Sequence, residues 1–214
     1  MKDMKLAPYI DHTMLKADAT SAAIKRYCDE AKKEGFASVC VNTCHVPLVH
    51  RELCDSHVKT CCVVGFPLGA MSTASKAFEA RQAVIDGADE VDMVINIGWL
   101  KEQAYELVKA DISSVVEASR PAIVKVIIET CLLSTDEKIK ACELSVEGGA
   151  DFVKTSTGFS TGGATPDDIA LMRRTVGTKA QIKASGGIRT PEDAIRLIEA
   201  GADRIGAGNG MLLI

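Results

Sequence analysis

Four strand-like runs each carry one charge where an apolar residue is expected. They are Val91-Asp92-Met93, Val124-Lys125-Val126, Val153-Lys154-Thr155 and Ile182-Lys183-Ala184. Asp11, in Ile10-Asp11-His12-Thr13, repeats the pattern near the chain start. Burying an unpaired charge is very costly, so lysine and aspartate are almost never fully buried without partners. Neighbours on a strand point to opposite faces. If the apolar flanks pack outward, the charged residues all point inward, into one shared space. A structural ion-pair network is one reading of such a set. The functional reading is favoured because a purely structural filling would cost less if apolar. The chemistry on offer is iminium formation. An amine attacks a carbonyl only when unprotonated, whereas an ordinary lysine has a pKa of about 10.4. Burial and a neighbouring ammonium both disfavour the charged form, and Asp92 could move protons through a water. The spacing alone leaves open which lysine is the nucleophile.

Elements of alternating type are needed to hold these charges. Gly87-Ala88-Asp89, Gly149-Ala150-Asp151 and Gly201-Ala202-Asp203 each close a helical pattern and open an apolar run, and Gly35-Phe36-Ala37 is a looser copy. Glycine suits a helix C-terminus because it adopts the left-handed conformation freely. The runs that follow are expected as strands: Ser38 to Asn42, Glu90 to Asn96, Phe152 to Thr155 and Arg204 to Ala207. In all, strand centres are expected near Ile10, Val39, Cys62, Asp92, Val126, Val153, Lys183 and Ile205. Between them, Ala22 to Lys33, Thr73 to Ile85, Asp136 to Glu147 and Pro191 to Ala200 read as amphipathic helices. Thr190 serves as the N-cap of the last, with Pro191 in its first turn. This pattern implies an α/β protein, a single-domain (β/α)8 TIM barrel spanning 1–214. An open doubly wound sheet would carry a glycine fingerprint after the first strand, and none follows Ile10. Only Gly208 to Ile214 follow the last strand, so the closing helix is expected to be short or missing.

Glycines gather after the last strands. Ser185-Gly186-Gly187 follows the seventh and Gly206-Ala207-Gly208-Asn209-Gly210 belongs to the eighth, with Gly158 and Gly162-Gly163 after the sixth. Loops after strands seven and eight of such barrels commonly bind phosphate through accessible backbone N–H groups. A phosphorylated substrate is therefore expected, held by Gly158, Ser185, Gly186, Gly187, Gly206, Gly208 and Asn209.

Composition excludes several classes. The 214 residues are 47% hydrophobic, enough for one substantial core. A net charge of −4, with 25 Lys and Arg spread along the chain, offers no basic face for nucleic acid. No apolar stretch approaches the roughly 20 residues that span a bilayer. Met1-Lys2-Asp3-Met4-Lys5 has no apolar segment behind it, so no signal peptide is read and a cytoplasmic location is expected. The cysteines at 28, 40, 44, 54, 61, 62, 131 and 142 form no C-x-x-C pair. Free thiols are expected, and no metal site, since Cys40-x3-Cys44-His45 lacks a second paired ligand set.

The stretches around these charges resemble the deoxyribose-phosphate aldolase family over essentially the whole chain. They include Tyr9-Ile10-Asp11-His12-Thr13, Ala37-Ser38-Val39-Cys40-Val41-Asn42, Val64-Gly65-Phe66-Pro67-Leu68-Gly69 and Asp89-Glu90-Val91-Asp92-Met93-Val94-Ile95-Asn96. Lys125-Val126-Ile127-Ile128-Glu129-Thr130, Asp151-Phe152-Val153-Lys154-Thr155-Ser156-Thr157-Gly158 and Lys183-Ala184-Ser185-Gly186-Gly187-Ile188-Arg189 continue it. The resemblance implies that Lys154 forms the Schiff base, Lys183 perturbs it and assists proton transfer, and Asp92 gives and takes the proton. It places Asp11, Cys40, Lys125 and Thr157 along the substrate. The implied reaction is reversible cleavage of 2-deoxy-D-ribose 5-phosphate to acetaldehyde and glyceraldehyde 3-phosphate, in deoxyribonucleotide catabolism, with no cofactor.

Two departures bear on this expectation. The family usually carries serine near Gly208, so phosphate here must rely on backbone N–H groups and Asn209. Some members end in a tail bearing a tyrosine that aids proton exchange; this sequence stops at Ile214 without one, and slow enamine protonation is expected. The rival readings are a Schiff-base aldolase for another sugar phosphate, a zinc-dependent aldolase and a non-catalytic phosphate-binding barrel. The short C-terminus and apolar helix faces are compatible with a homodimer.

Overall fold

The computed structural model describes residues 4–214; Met1-Lys2-Asp3, at the chain start where no targeting segment is expected, lie outside them. Eight strands follow one another around a closed parallel barrel. They are β1 (Ile10–Met14), β2 (Ser38–Asn42), β3 (Lys59–Val64), β4 (Glu90–Val94), β5 (Ile123–Ile127), β6 (Phe152–Lys154), β7 (Gln181–Ser185) and β8 (Arg204–Ala207). Every expected strand centre falls inside one of them. The barrel closes where Asp11 of β1 lies beside Gly206 of β8. The helices are α1 (Ser21–Glu34), α2 (Val46–Leu53), α3 (Thr73–Ile85), α4 (Ile97–Lys101), α5 (Tyr105–Ser119), α6 (Thr135–Glu147), α7 (Pro166–Val176) and α8 (Pro191–Glu199). A single 3-10 turn, Gly210–Leu213, follows β8 in place of a closing helix. Among the described residues no helix is long and apolar enough to cross a membrane.

Helix starts follow the expected chemistry. Thr190 accepts the Asp193 N–H while the Asp193 side chain accepts the Thr190 N–H, a reciprocal cap with Pro191 in the first turn. The fourth strand is shorter than the Glu90 to Asn96 run. Asn96 leaves it to cap α4, its Oδ1 accepting the Trp99 N–H at 3.1 Å.

The Gly-Ala-Asp phrase turns out to be a strand-register device. Gly87, Gly149 and Gly201 all have positive φ, which lets the chain turn from helix to strand without a Cβ clash. The aspartate then locks onto the preceding strand. Asp89 Oδ2 accepts the Thr60 N–H at 2.9 Å, Asp151 Oδ2 the Val124 N–H at 2.9 Å, and Asp203 Oδ2 the Ile182 N–H at 2.8 Å. Each aspartate also donates its own N–H back, to the carbonyls of Thr60, Val124 and Ile182. The β3–β4, β5–β6 and β7–β8 pairs are thereby pinned at the start of their ladders. Pinning matters because a one-residue slip would turn every inward charge outward.

Side-chain parity divides the core in two. Val39, Val41, Cys62, Val64, Val91, Met93, Val124, Val126, Val153, Ile182, Ala184 and Ile205 pack outward into one large cluster with the helices. Burying each Val or Ile contributes about 1.5–3 kcal/mol. Inside the barrel only Cys40, Cys61 and Val63 form an apolar cluster, with Leu15 and Phe66 against it. Val94, Ile127 and Phe152 are buried on the same inward parity, and between these apolar residues the interior is largely charged.

A buried ion pair, Lys76 with Asp111, lies outside the barrel interior. Lys76 of α3 donates to Asp111 Oδ2 of α5 at 2.6 Å and to the Val94 carbonyl at 2.9 Å. Thr73 Oγ1 donates to the other Asp111 oxygen at 2.8 Å, and both charged residues are fully buried. Asp111→Ala is expected to lower stability by about 3–5 kcal/mol, because it strands the Lys76 charge. Urea unfolding measures this, and an Asp111→Leu, Lys76→Met pair should recover most of the loss.

Candidate active site

The strand charges converge on the Asp92 carboxylate. Its Oδ1 accepts from Lys125 Nζ at 2.8 Å, and its Oδ2 from Lys154 Nζ at 2.7 Å and Lys183 Nζ at 2.8 Å. Strand register brings this about, since Asp92 pairs with Lys125 and Lys154 with Lys183 across neighbouring strands. Asp11 joins from the closing seam, its Oδ2 lying 2.5 Å from Lys183 Nζ and 3.8 Å from Lys125 Nζ. All five residues are buried.

Sequence reasoning missed three members of this network. Glu90 Oε2 lies 2.6 Å from Lys125 Nζ. Arg204 donates to Asp11 Oδ1 at 2.7 Å and to Glu90 Oε2 at 3.2 Å, with its guanidinium 5.5 Å from the centre of the Phe152 ring. Cys61 Sγ lies 3.3 Å from both Asp92 Oδ1 and Lys125 Nζ. A signal for the two charged residues existed. Glu90 stands two positions before Asp92, so the alternation that turns Asp92 inward also turns Glu90 inward. Adjacent to Gly-Ala-Asp phrases, Glu90 and Arg204 look instead like solvated turn residues.

Burial is the strongest single influence on these groups and favours their neutral forms, but the opposite charges together outweigh it. Lys125, Lys154 and Lys183 hold the Asp92 carboxyl well below the usual range, and Lys183, Lys125 and Arg204 hold Asp11 low as well. Asp11 and Asp92 hold the Lys183 ammonium above the ordinary lysine value, and Asp92 leads the groups that do the same for Lys125. Lys183 therefore remains a cation. Counting charges separates the lysines further. Lys125 lies near three carboxylates and Lys183 near two, but Lys154 near Asp92 alone, on the oxygen that Lys183 shares.

Above this layer opens a cavity of about 580 Å³. Lys154 is the only one of the three strand lysines that lines it, together with Thr157, Gly158, Ser185, Gly186, Gly187, Gly206, Gly208 and Asn209. Every residue expected to hold phosphate thus borders the same space as Lys154. Asp11, Cys40, Lys125, Asp92 and Lys183 lie in the buried layer beneath. A Cβ at Gly206 would come within 2.3 Å of Ser185 Oγ and 3.1 Å of Lys183 Cε, so any larger residue there would push the Ser185 and Lys183 side chains from their places. Lys16, Arg26, Tyr27 and Phe159 also line the cavity, and sequence reasoning did not select them.

The wall beyond Lys154 is held by another unanticipated residue. Glu129 is buried and accepts from Thr157 through both its N–H, at 3.2 Å, and its hydroxyl, at 2.5 Å. Thr157 Oγ1 in turn accepts the Phe159 N–H at 3.0 Å, so its hydroxyl is engaged by the loop itself. Glu129 adopts a left-handed φ of 55°. For a residue with a Cβ that conformation costs about 1–3 kcal/mol, and the surrounding contacts must enforce it.

The Cys40-Cys44-His45 spacing does not converge on a metal site: Cys40 is buried and Cys44 exposed. Among the described residues the candidate donor sets are Cys40, Cys61 and Asp92, and Asp11, Cys61 and Glu90, each with ligand atoms within 4.8 Å of one another. Ammonium groups already occupy both Asp92 oxygens, and a cation there would have to displace them.

Comparison with known proteins is consistent along the chain. A family model described as DeoC/LacD family aldolase matches residues 5–213. The deoxyribose-phosphate aldolase of Finegoldia magna is 62% identical over 211 residues, covering 99% of this chain and 99% of that protein. The protein of the same name from Clostridium novyi is 60% identical over 212 residues, covering 99% of this chain and 96% of its own. Among solved structures, an aldolase designated QR15 superimposes with a TM-score of 0.94 at 41% identity, over 100% of this chain and 95% of its own. A tetrameric deoxyribose phosphate aldolase from Aeropyrum pernix gives 0.91 at 32% identity, over 97% of this chain and 88% of its own.

Proposed function

Because the chain belongs to the DeoC/LacD family of aldolases, we propose that it cleaves 2-deoxy-D-ribose 5-phosphate reversibly to acetaldehyde and glyceraldehyde 3-phosphate through a Schiff base on Lys154. The observation that carries the choice of lysine is its position. Lys154 is the strand lysine that borders the cavity and the one with a single, shared carboxylate partner. Four cations, Lys125, Lys154, Lys183 and Arg204, face three carboxylates, Asp11, Glu90 and Asp92. That count is the same for every lysine of the set, so the choice among them rests on access to the cavity.

Lys154 Nζ adds to C1 of the open-chain sugar, and loss of water gives the iminium. A water takes the C3 hydroxyl proton and passes it to the Asp92 carboxylate, and the Lys183 ammonium, 2.8 Å from Asp92 Oδ2, assists by stabilising the charge that develops. The C2–C3 bond then breaks, its electron pair passing toward the iminium, and glyceraldehyde 3-phosphate leaves. The enamine takes a proton at C2 and is hydrolysed, releasing acetaldehyde and Lys154. Asp11, Lys125, Glu90 and Arg204 hold Asp92 and Lys183 in place beneath. Gly158, Ser185, Gly186, Gly187, Gly206, Gly208 and Asn209 receive the phosphate at the far end of the cavity. Thr157 flanks the reacting carbons on the cavity wall, and Cys40 supports the site from the buried layer beneath.

Borohydride reduction in the presence of acetaldehyde should leave an ethyl group on Lys154, located by peptide mass mapping. An adduct on Lys183, or none, overturns the assignment. Product analysis with deoxyribose 5-phosphate and other sugar phosphates separates this reading from a different Schiff-base aldolase. We further place the enzyme in the cytoplasm, in deoxyribonucleotide catabolism, as a homodimer. Phe78 and Ile85, 70% and 71% exposed on one face of α3, support self-association; sedimentation equilibrium tests it.

A further inference from the structure

The phosphate end of the cavity contains a segment that cannot shape itself. Gly208, Asn209 and Gly210 follow β8, and a Cβ at Gly208 would meet nothing within 4 Å. Glycine-rich backbone loses the most conformational freedom on ordering. Two aromatic side chains from elsewhere hold this one. Tyr27 of α1 donates its hydroxyl to the Gly208 carbonyl at 2.7 Å. His12 of β1, fully buried, accepts the Gly210 N–H on Nδ1 at 3.0 Å and bonds Glu30 through Nε2 at 2.8 Å. The two rings stack with centroids 4.0 Å apart and 15° between planes, and Phe36 packs on His12 at 5.2 Å.

The bonding pattern sets polarity as well as shape. An anion is repelled by carbonyl oxygens and attracted by N–H groups. In a trans peptide the carbonyl and the following N–H point in opposite directions. Tyr27 occupies the Gly208 carbonyl, and the Asn209 N–H consequently points away from Tyr27. Asn209 Oδ1 accepts the Met211 N–H at 3.2 Å, which leaves the side-chain NH₂ as the end available to a ligand. For His12 to accept from Gly210, Nδ1 must carry no proton, and Glu30 selects that tautomer by receiving the Nε2 proton. Across the cavity, the buried Ser185 hydroxyl has no hydrogen-bond partner among the described residues. An unpaired buried hydroxyl on a cavity wall is a group waiting for a ligand.

We propose that Tyr27 and His12 are positioning residues that hold the Gly208–Gly210 backbone as a preformed cradle for the substrate's phosphate. The tethers from α1 and β1 order the segment before the anion arrives, so binding energy is not spent on ordering it. The identity of the phosphorylated substrate rests on the aldolase reading above; the tether itself does not.

Tyr27→Phe tests this, because it removes one hydroxyl and keeps the ring stacked on His12. Loss of one hydrogen bond corresponds to about a fivefold effect. KM for deoxyribose 5-phosphate should rise by about that factor, with kcat within about twofold of the parent and kcat/KM for unphosphorylated 2-deoxyribose unchanged. Inorganic phosphate, titrated calorimetrically into each protein, should bind the variant about fivefold more weakly. Unchanged KM and phosphate affinity overturn the proposal, as does an equal loss on both sugars. The titration needs no turnover. Weakened phosphate binding in a chain that fails to cleave deoxyribose 5-phosphate would leave the cradle standing and overturn only the aldolase reading.

Discussion

Lys154→Arg is expected to lower turnover of deoxyribose 5-phosphate by about a thousandfold or more while the barrel stays folded. Arginine retains a cation beside Asp92 Oδ2, where Lys154 Nζ lies at 2.7 Å. It cannot be deprotonated in a protein, however, and so cannot attack C1. The substitution therefore separates charge from nucleophilicity. The borohydride adduct should vanish together with turnover, and the thermal midpoint should stay within a few degrees of the parent. Retention of more than a few per cent of activity would place the Schiff base on another amine. Lys183 offers no ready substitute, because Asp11 and Asp92 hold it charged.

Asp92→Asn should be the most damaging change to stability and activity together. The amide has nearly the same shape but no charge, and three ammonium groups lose the anion they share. Breaking a buried ion network by removing one partner costs about 3–5 kcal/mol, and removing a proton-transfer group costs about 10²–10⁴ in rate. The pH dependence has a definite sign. In the parent, Asp92 is held far below its unfolded value, so its stabilisation is present above about pH 4 and is lost only as pH falls below that. In the variant, ammonium groups crowded without their anion bind protons less readily in the folded than in the unfolded chain, so stability should rise with pH. Urea unfolding at pH 6 and pH 9 compares the two proteins. A variant as stable as the parent at pH 6 would show that Asp11 and Glu90 suffice to balance the interior.

Much of the fold was readable because its signals are local. Each helix-closing glycine and each N-cap acts over a few residues, and period-two alternation places a side chain relative to its immediate neighbours. For that reason the eight strand centres, the Thr190 cap and the inward lysines were legible. The aspartates of the Gly-Ala-Asp phrase were visible only as a repeat; their bonds to Thr60, Val124 and Ile182 join residues about 20–30 positions apart.

The site divides along the same line. Residue types and parity determined that lysines and aspartates share the barrel interior, and resemblance singled out Lys154. Only the closed barrel decided which charge meets which. It brought Arg204 to Asp11, a separation of 193 positions, and gave Lys183 two carboxylates against one for Lys154. It also placed Tyr27 and His12 on the segment around Gly208. Coulomb energy and hydrogen bonding depend on distance through space, which barrel closure sets. A linear sequence records only separation along the chain, so it can name the groups that carry chemistry but not apportion their charge.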